Sequence, residues 1–397
     1  MTVIDVKKCT GCAACSDICP KGCISMREDE EGFIKPFIDG ESCINCGSCF
    51  RNCPQEYDYN YNDIKPDAYA FVALDKPRLL KSSSGGAFIS LAKYVLNKGG
   101  VVFGAAYDKK FFVKTIPIEK LSDLYKIQGS KYIQSSIEES YTLVKRYLKT
   151  NRMVLFSGTP CQIAGLYAVL DSDREDKNLI TVEVLCHGVP NNKLFQIYLK
   201  YIAEKYGQIY DYTFRDKQKW GWGNWGSFTY MKNGKFKKKY FLVASDYFYS
   251  LYFKENIFRE SCYDCKYATL PRLADITLGD FWGAEQLLTD FNLKEGVSLI
   301  MNNNIKAKKI FAEVTEKEDV KIEKISIEKV IPYNQTIIQS VERPESRDKI
   351  FFQIEKYGFL QTANKYCKIH KVTPIIARYI PKKIKIFLKK STRRENK

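Results

Sequence analysis

The chain has 397 residues, 45% of them hydrophobic and 27% charged, and a formal net charge of +17. This composition is typical of a soluble globular protein with room for two or three hydrophobic cores. It contains no run approaching the roughly 18–20 unbroken apolar residues of a membrane-spanning helix. Met1–Asp5 leads into Lys7, Lys8 and Cys9 without an apolar signal segment. We therefore expect a cytoplasmic protein without a transmembrane segment.

The positive charge is unevenly distributed along the chain. From Lys371 onward there are ten basic residues and one acid, Glu395, so this tail accounts for +9 of the net charge and the remainder for +8. The body is only mildly basic, which argues against nucleic acid as a partner. The tail predicts a solvated basic helix, and peripheral contact with an anionic membrane surface is the alternative.

Two cysteine motifs dominate the first 60 residues. CTGCAACSDICP (9–20) and CINCGSCFRNCP (43–54) share the spacing C-x2-C-x2-C-x3-C-P, which is that of a ferredoxin with two 4Fe–4S clusters. The predicted ligands are Cys9, Cys12, Cys15 and Cys53 for the first cluster, and Cys43, Cys46, Cys49 and Cys19 for the second. Gly11 and Gly47 lack a Cβ, so backbone there can approach inorganic sulfide. Zinc fits less well because it takes four thiolates in one tetrahedron.

The elements that follow alternate between helix and strand. The cysteine-rich first 60 residues contain a small predicted hairpin from Ile24–Met26 and Phe33–Phe37. A tyrosine-rich linker at 56–67 overlaps their end and leads to the larger domain. Helices are predicted at 82–100, where serines cap the helix, and at 137–150, 159–170 and 191–207, and strands at 101–108, 152–158 and 179–186. Short apolar strands between helices predict a parallel or mixed α/β sheet.

After residue 208 the pattern favours antiparallel β structure. It has an Asn233–Gly234 hairpin turn, a helix near 246–258 and a strand at 274–281. The predicted fold class is α+β, with a bacterial-type ferredoxin module, a larger α/β domain with a mixed sheet, and a helical basic tail. The predicted boundaries are 1–60 for the ferredoxin domain, 68–155 and 156–330 for two regions of the larger domain, and 331–397 for the tail.

Six cysteines remain outside the two motifs. Cys262 and Cys265 form a C-x2-C pair, whereas Cys161 and Cys186 each follow a predicted buried strand. Strand ends of an α/β sheet face the crevice in which ligands bind, so these four thiols could hold a third 4Fe–4S cluster. The alternative is that Cys161 and Cys186 are small buried hydrophobic side chains, and the spacing leaves both interpretations open. The other two cysteines, Cys23 and Cys367, belong to no recognisable ligand motif and are predicted to be structural.

Seven stretches of the body resemble one known family. They are SSSGGAFISLA, GGVVFGAAYD, GSKYIQS, VLFSGTPCQIAGL, NLITVEVLCHGVP, FRDK and SCYDCKYATLPRLADITLGDFWG. With the ferredoxin module they resemble the beta subunits of coenzyme-deazaflavin hydrogenases and dehydrogenases, the FrhB/FdhB-like family, over residues 1–300. Hydroxymethyl chlorophyll reductase and bacterial homologues from polysaccharide gene clusters are similar too, so the resemblance does not name a substrate.

The resemblance implies an oxidoreductase with FAD in the α/β domain beside a 4Fe–4S cluster. Cys161, Cys186, Cys262 and Cys265 stand where the family motifs have cysteines, which favours the third cluster. The larger domain is therefore expected to be a flavin and iron–sulfur domain.

The flavin site is less sharply defined. No G-x-G-x-x-G motif follows a strand, so a Rossmann dinucleotide site is not indicated. Three loops offer backbone N–H groups, hydroxyls or a cation that could hold phosphate, and an ordinary helix cap is the alternative for each. The candidate flavin contacts in these loops are Ser83, Ser84, Gly85, Gly86, Ser130, Lys131, Gly158 and Thr159. Asp280 and Trp282 are expected to shape the same crevice, and FRDKQKWGWGNW is either a substrate flap or an aromatic core cluster.

One histidine is a candidate for proton transfer. His187 follows Cys186 and could donate a proton to reduced flavin or to substrate, and a structural hydrogen-bonding role is the alternative. The sequence predicts an FAD and iron–sulfur oxidoreductase that moves electrons between ferredoxin-type clusters and FAD, with hydride exchange to an unidentified small molecule. Its expected partner is a redox protein such as ferredoxin, and an oligomer is compatible with the sequence. The alternative is an electron-transfer subunit that links ferredoxin to a separate catalytic partner.

Overall fold

The computed structural model describes residues 7–57, 62, 64–367 and 369. Its strands are β1 (Ile24–Glu28), β2 (Ile34–Ile38), β3 (Asp67–Ala73), β4 (Val101–Tyr107), β5 (Val113–Ile118), β6 (Val154–Gly158), β7 (Leu179–Val184), β8 (Ile209–Thr213), β9 (Trp225–Lys232), β10 (Lys235–Leu242), β11 (Ile276–Asp280), β12 (Ser298–Asn302) and β13 (Val320–Ile325). Its α-helices are α1 (Ala14–Ile18), α2 (Ser48–Arg51), α3 (Lys76–Lys81), α4 (Ala87–Asn97), α5 (Leu124–Ile127), α6 (Ser140–Lys149), α7 (Pro160–Leu170), α8 (Asn192–Tyr206), α9 (Tyr247–Phe253), α10 (Ala284–Leu287), α11 (Ile305–Lys317), α12 (Ile327–Val330), α13 (Arg347–Tyr357) and α14 (Phe359–Tyr366).

An eight-stranded mixed sheet organises the larger domain, in the order β13-β3-β12-β11-β7-β6-β4-β5. Strands β4, β6, β7 and β11 are parallel neighbours in that order, and β12 is antiparallel to both β11 and β3. Strand β3 therefore points in the same direction as the parallel strands. The carboxyl ends of β3, β4, β6, β7 and β11 consequently share one edge, called the carboxyl edge below. The mixed sheet confirms the predicted fold class.

Both faces of this sheet are covered by helices. Val102 and Leu155 pack towards α4 and α11, whereas their neighbours Val101 and Val154 pack towards α6 and α7. Successive strand residues point to opposite faces, so a strand buried on both sides is apolar at most positions. This explains the continuous apolar runs that predicted these strands.

A second core lies beside the sheet. Strands β10, β9 and β8 form a three-stranded antiparallel sheet, and the β9–β10 turn contains the predicted Asn233–Gly234 pair. Helices α8, α9, α13 and α14 pack on this sheet through a core rich in phenylalanine and tyrosine. In the N-terminal module β1 and β2 form the predicted antiparallel hairpin. Within the described ranges, no helix has both the length and the apolar character needed to cross a membrane.

Several elements differ from the prediction. Helix α4 begins at Ala87, and its N-cap is Gly86 at φ 87° with no side-chain cap, so the predicted serine-capped start at residue 82 is wrong. Helix α9 ends at Phe253 instead of continuing to 258. Strands β3, β5, β12 and β13 and helix α11 were not predicted; β13, for example, is polar and largely exposed. The basic tail from Lys371 lies outside the described residues.

Candidate iron–sulfur and flavin site

The structure gathers the first four predicted cluster ligands at one place. Burial, together with the charges of the neighbouring thiols Cys9, Cys53 and Cys49, raises the pKa of Cys15 to about 12. Burial also raises the pKa of Cys12, to which Cys15 and Cys9 add. Since Cys49 belongs to the other predicted set, the two sets are neighbours.

The second set lies on the outer side of the module. Burial raises the pKa of Cys49, and the nearby Cys46 and Cys19 add to it. The Sγ atom of Cys23 lies 3.4 Å from the Sγ of Cys19, and Cys43 is also near Cys23. Cys23, predicted to be structural, therefore lies directly against this group.

The two sets differ in their exposure to solvent. Cys9, Cys12 and Cys53 of the first set are buried, whereas Cys46 of the second is exposed. Ile44, two residues before Cys46, has 56% of its surface exposed. The first set thus faces the body of the protein and the second faces outward.

A buried arginine fixes the ferredoxin module to the body. The Arg259 guanidinium donates to the carbonyl of Cys9 at 3.2 Å and to that of Ile34 at 2.8 Å, while its Nε donates to the Gln134 side chain at 3.0 Å. Gln134 in turn donates to the carbonyl of Thr10 at 2.8 Å. These charge-assisted bonds satisfy backbone carbonyls next to the first cysteine set.

A second arginine fastens the opposite side of the module. Arg347, only 1% exposed, donates two parallel hydrogen bonds to the Glu31 carboxylate at 2.7 and 2.6 Å. The Tyr267 hydroxyl donates to the carbonyl of Pro54 at 3.0 Å. The module is therefore held in one orientation by contacts at several separate points.

Four further cysteines meet at the carboxyl edge. Cys161 lies in the first turn of α7 after β6, Cys186 follows β7, and Cys262 and Cys265 lie on the loop that leads to β11. Burial raises the pKa of Cys262 to about 12 and that of Cys265 to about 11, and in both cases the charge of neighbouring cysteines, Cys161 among them, adds to the effect. Burial likewise raises the pKa of Cys186, to which Cys262 and Cys161 add. The structure thus brings together the four thiols that the sequence grouped.

Such a group suits a cluster better than a bare ion. Among the residues the structure describes, no three His, Cys, Asp or Glu side chains are spaced to hold a single metal ion. A cube with iron at alternate corners separates its ligands more widely than one tetrahedral ion does. Ligation to iron also removes the thiol proton, which buried cysteines otherwise retain.

The predicted serine and glycine contacts serve mainly to join loops. The Ser83 hydroxyl accepts from the Ser130 amide at 2.7 Å, and the Ser84 hydroxyl donates to the carbonyl of Val297 at 2.7 Å. A Cβ on Gly85 would lie 2.0 Å from the carbonyl oxygen of Phe71. Glycine is needed at this position for packing against β3, and the serine hydroxyls are already engaged.

Two of the predicted contacts accompany the cysteines instead. Thr159 caps α7 in a capping box with Gln162, and its hydroxyl lies 3.1 Å from the Sγ of Cys161. Gly158 is the last residue of β6 and precedes this cap. No hydrogen bond within the described ranges joins Gly158 or Thr159 to the serine loop.

A buried cation lies beside the serine loop. Arg215 is 6% exposed, and its Nη2 lies 3.1 Å from a carboxylate oxygen of Asp280 at the end of β11. Its Nη1 donates to the Tyr132 hydroxyl at 3.3 Å, and its guanidinium faces the Trp282 ring at 5.4 Å. In the described part of the chain, Nε of Arg215 has no hydrogen-bond partner, and Nη2 has only its ion-pair contact with Asp280. Buried donors of this kind fit an anionic group.

Two lysines donate to backbone carbonyls of the candidate loops and their neighbours. Lys217, 3% exposed, donates to the carbonyls of Ser84 and Glu295, and burial lowers its pKa to about 7. Lys131 donates to the carbonyl of Gln128 at 2.9 Å, and burial lowers its pKa to about 7 as well. Sequence reasoning did not single out Arg215 or Lys217, although both lie in the FRDK stretch that carried the resemblance.

Lys217 gives the stability of the protein a pH dependence. Between about pH 7 and 10 the folded chain holds this amine neutral while the unfolded chain keeps it charged, so stability rises with pH in that window. We expect the wild type to gain about 1.4 kcal/mol per pH unit relative to Lys217→Met. Urea unfolding of both proteins at pH 7, 8 and 9 measures this difference, and a constant difference would contradict it.

The tryptophan-rich segment lies beside Arg215. Trp222 stacks on Trp282 with ring centroids 5.2 Å apart, and its Nε1 donates to Asp280 at 3.3 Å. Trp220 stacks on Trp225 at 4.4 Å. Trp220, Trp222 and Trp225 are half-buried and Trp282 is 39% exposed, so this aromatic group lies at the surface.

His187 has a partner of its own. Its Nε2 lies 3.2 Å from a carboxylate oxygen of Glu255, and its ring packs near Tyr252 and Phe258. Both roles considered for His187, proton transfer and structural hydrogen bonding, stay predictions. The side chain of His187 is 37% exposed.

Comparison with known proteins gives two family matches. The family described as the C terminus of the coenzyme F420 hydrogenase/dehydrogenase beta subunit matches residues 151–328, and the 4Fe–4S dicluster domain matches residues 8–57. The first match contains the four cysteines at the carboxyl edge, and the second contains all eight motif cysteines.

Individual relatives fall in the same group. One of the subunits of F420H2 dehydrogenase from Methanosarcina mazei is 23% identical over 193 residues, which are 46% of this chain and 54% of that protein. Coenzyme F420-dependent sulfite reductase of Methanocaldococcus jannaschii is 25% identical over 174 residues, 41% of this chain and 25% of that protein. A chain of the F420-reducing [NiFe] hydrogenase complex from Methanosarcina barkeri is 19% identical, with 73% of this chain and 91% of that chain covered and a TM-score of 0.45. The present chain thus spans about half the length of the dehydrogenase protein and a quarter of the sulfite reductase.

The eight-cysteine module and the cysteine-bearing sheet edge each coincide with a family match. An iron–sulfur electron-transfer role follows from the dicluster domain. Residues 151–328 thus match the C-terminal domain of coenzyme F420 hydrogenase/dehydrogenase beta subunits, and residues 8–57 match a 4Fe–4S dicluster domain.

Proposed function

We propose that the chain is an iron–sulfur flavoprotein oxidoreductase in which single electrons pass between two ferredoxin-type clusters, a third 4Fe–4S cluster and FAD. FAD, when bound, supplies the exchange between single electrons and a hydride on a small-molecule substrate. The observation that carries the proposal is the position of four partly buried cysteines at the carboxyl edge. Cys161 is near Cys12 of the docked ferredoxin module, and Cys186 and Arg215 are both near Tyr252.

The cluster assignments follow from the two groups of motif cysteines and the third group. The proposed ligands are Cys9, Cys12, Cys15 and Cys53 for the first cluster, Cys19, Cys43, Cys46 and Cys49 for the second, and Cys161, Cys186, Cys262 and Cys265 for the third. Electrons then have a path from the exposed second cluster through the first to the third.

The pocket beside the third group fits an anionic cofactor. Arg215 is a buried cation whose Nε has no hydrogen-bond partner among the described residues, and Lys217 is a buried amine two residues further along the chain. We propose that they hold an anionic part of FAD or of the substrate, that Tyr132 orients the guanidinium, and that Trp222 closes the pocket against water. When no anionic ligand is bound, the carboxylate of Asp280 compensates the buried positive charge of Arg215.

The partner and substrate are part of the same proposal. A cytoplasmic redox protein such as ferredoxin exchanges electrons at the exposed Cys46 face. Reduced F420-type deazaflavin is the first substrate to test, because two relatives carry this coenzyme in their names.

Electron exchange at the outer face predicts a surface phenotype. We expect Ile44→Glu to slow electron transfer from reduced ferredoxin severalfold, because a charge at a 56% exposed apolar contact disturbs docking without touching a cluster ligand. Ile305→Glu is the matched control, since Ile305 is 64% exposed on α11 of the larger domain. Stopped-flow oxidation of a dithionite-reduced two-cluster ferredoxin measures the rate. Equal slowing by both substitutions would exclude this docking face.

Anaerobic purification of the full chain tests the proposal as a whole. We expect about twelve iron atoms and one FAD per chain, and oxidation of reduced F420 with ferredoxin as acceptor. About eight iron atoms and no flavin would refute both the third cluster and the flavoenzyme.

An electron-transfer subunit is the second candidate. The observation that favours it is the rigid docking of the ferredoxin module with one exposed cluster set, which is what passing electrons to another protein requires. A chain that holds every cofactor but oxidises reduced F420 only in the presence of a partner protein would support this candidate over the first.

A further inference from the structure

Helix α7 is the element that joins the first cysteine set to the third. Cys161 and Gly165 are one helical turn apart and so lie on the same face of α7. Ala168, almost one turn further, packs with Cys12 and Ala14 of the ferredoxin module. One face of α7 therefore carries a proposed ligand of the third cluster and lies against a proposed ligand of the first.

At Gly165 this contact leaves no room for a side chain. A Cβ at this position would lie 2.9 Å from the Cβ of Cys12, 3.2 Å from its Sγ, and 2.6 Å from the Tyr141 hydroxyl oxygen. The Tyr141 hydroxyl donates to the carbonyl of Gln162 at 2.8 Å, so this side chain is held in position. A substitution at Gly165 must therefore push Cys12 and α7 apart.

The backbone gives no other reason for glycine here. Gly165 lies in the middle of α7 and is not among the residues with positive φ. Alanine is the better helix former at such a position. The close approach of Cys12 and Tyr141 is thus what requires glycine.

Tyr141 and Cys12 lie against the same point of α7. The position of a Cβ on Gly165 is within 3 Å of both the Tyr141 hydroxyl oxygen and the Cys12 Cβ. The phenol, the thiol of Cys12 and this turn of α7 therefore form one compact junction between the module and the body.

We propose that Gly165 is a positioning residue that sets the distance between the first and third clusters, and with it the rate of electron transfer from the ferredoxin module to the body. This inference rests on the proposed function, because it requires the third cluster. The inference goes beyond the proposed function because it assigns control of the distance between the two clusters to Gly165, a residue of α7 that is not itself a proposed ligand.

The test compares Gly165→Ala and Gly165→Val with the wild type in the full chain, purified anaerobically with its clusters. EPR of the dithionite-reduced proteins reports the magnetic interaction between the two clusters, and stopped-flow mixing with reduced methyl viologen reports inter-cluster transfer. We expect unchanged iron content, a weaker interaction and a severalfold slower transfer for alanine, with a larger loss for valine. Gly40→Ala is the matched control, because nothing lies within 4 Å of a Cβ at Gly40.

The outcomes separate this inference from the proposed function. An iron content of about eight atoms per wild-type chain would refute the third cluster, and the inference about Gly165 would fail with it. Fully loaded Gly165→Ala protein with the wild-type interaction and rate overturns the inference alone. If Gly165→Ala does not retain its clusters, Gly165→Ala/Tyr141→Phe is measured, since it removes the contact at 2.6 Å. A wild-type rate in that loaded variant also overturns the inference.

Discussion

Cys265→Ala is expected to lose about four of about twelve iron atoms while the two ferredoxin clusters stay intact. Cys265 lies with Cys161 and Cys262 in a buried group at the carboxyl edge, so its loss leaves the proposed third cluster with three thiolates. The eight motif cysteines are separate residues on the ferredoxin module. Electron transfer from ferredoxin to flavin should fall to a small fraction of the wild-type rate, because the path then ends at the first cluster.

Cys367→Ala is the control for this experiment. Cys367 is also a buried free thiol, 5% exposed, but it packs in the aromatic core beside the three-stranded sheet. Iron and sulfide analysis with EPR of both variants distinguishes a ligand from an ordinary buried cysteine. Equal iron content in wild type and Cys265→Ala would reject Cys265 as a ligand, and iron loss in Cys367→Ala would show a general effect of thiol removal.

The sequence predicts those parts of the site whose residues lie close together along the chain. The spacing from Cys9 to Cys19 is itself the geometry of a cluster-binding loop, so the motif is readable locally. The grouping of Cys161 with Cys186 followed from one rule, that parallel strands end at the same edge. The strand directions bear out that rule.

Contacts between distant segments could not be read in this way. Arg259 bonds to the carbonyl of Cys9 across 250 positions, and nothing in its neighbouring residues signals this role. Gly85 looked like a phosphate-binding glycine, but its neighbours are the backbone of β3 and β12. The roles of Arg259 and Gly85 depend on which segments come into contact after folding. The spacing of residues in a single sequence does not reveal those contacts.

A buried ion pair secures the loop that carries Cys265. The Arg272 guanidinium pairs with Glu183 of β7, and their side chains are 2% and 0% exposed. The Thr277 hydroxyl donates to the same carboxylate at 2.8 Å, and Arg272 also donates to the carbonyl of Tyr267 at 2.9 Å. Arg272 thereby ties the cysteine loop to the centre of the sheet.

Arg272→Met is therefore expected to lower the stability of the protein by about 3–5 kcal/mol, because it leaves Glu183 as an uncompensated buried carboxylate. Arg272→Met/Glu183→Met should recover much of that loss, since a buried pair can be replaced by apolar side chains at little net cost. Lys114→Met, which breaks an exposed pair with Glu138, should cost about 1 kcal/mol or less. Anaerobic thermal unfolding of the three variants and the wild type measures these differences. A double variant no more stable than Arg272→Met would mean that the arginine acts through its bonds to the loop carbonyls and not through Glu183.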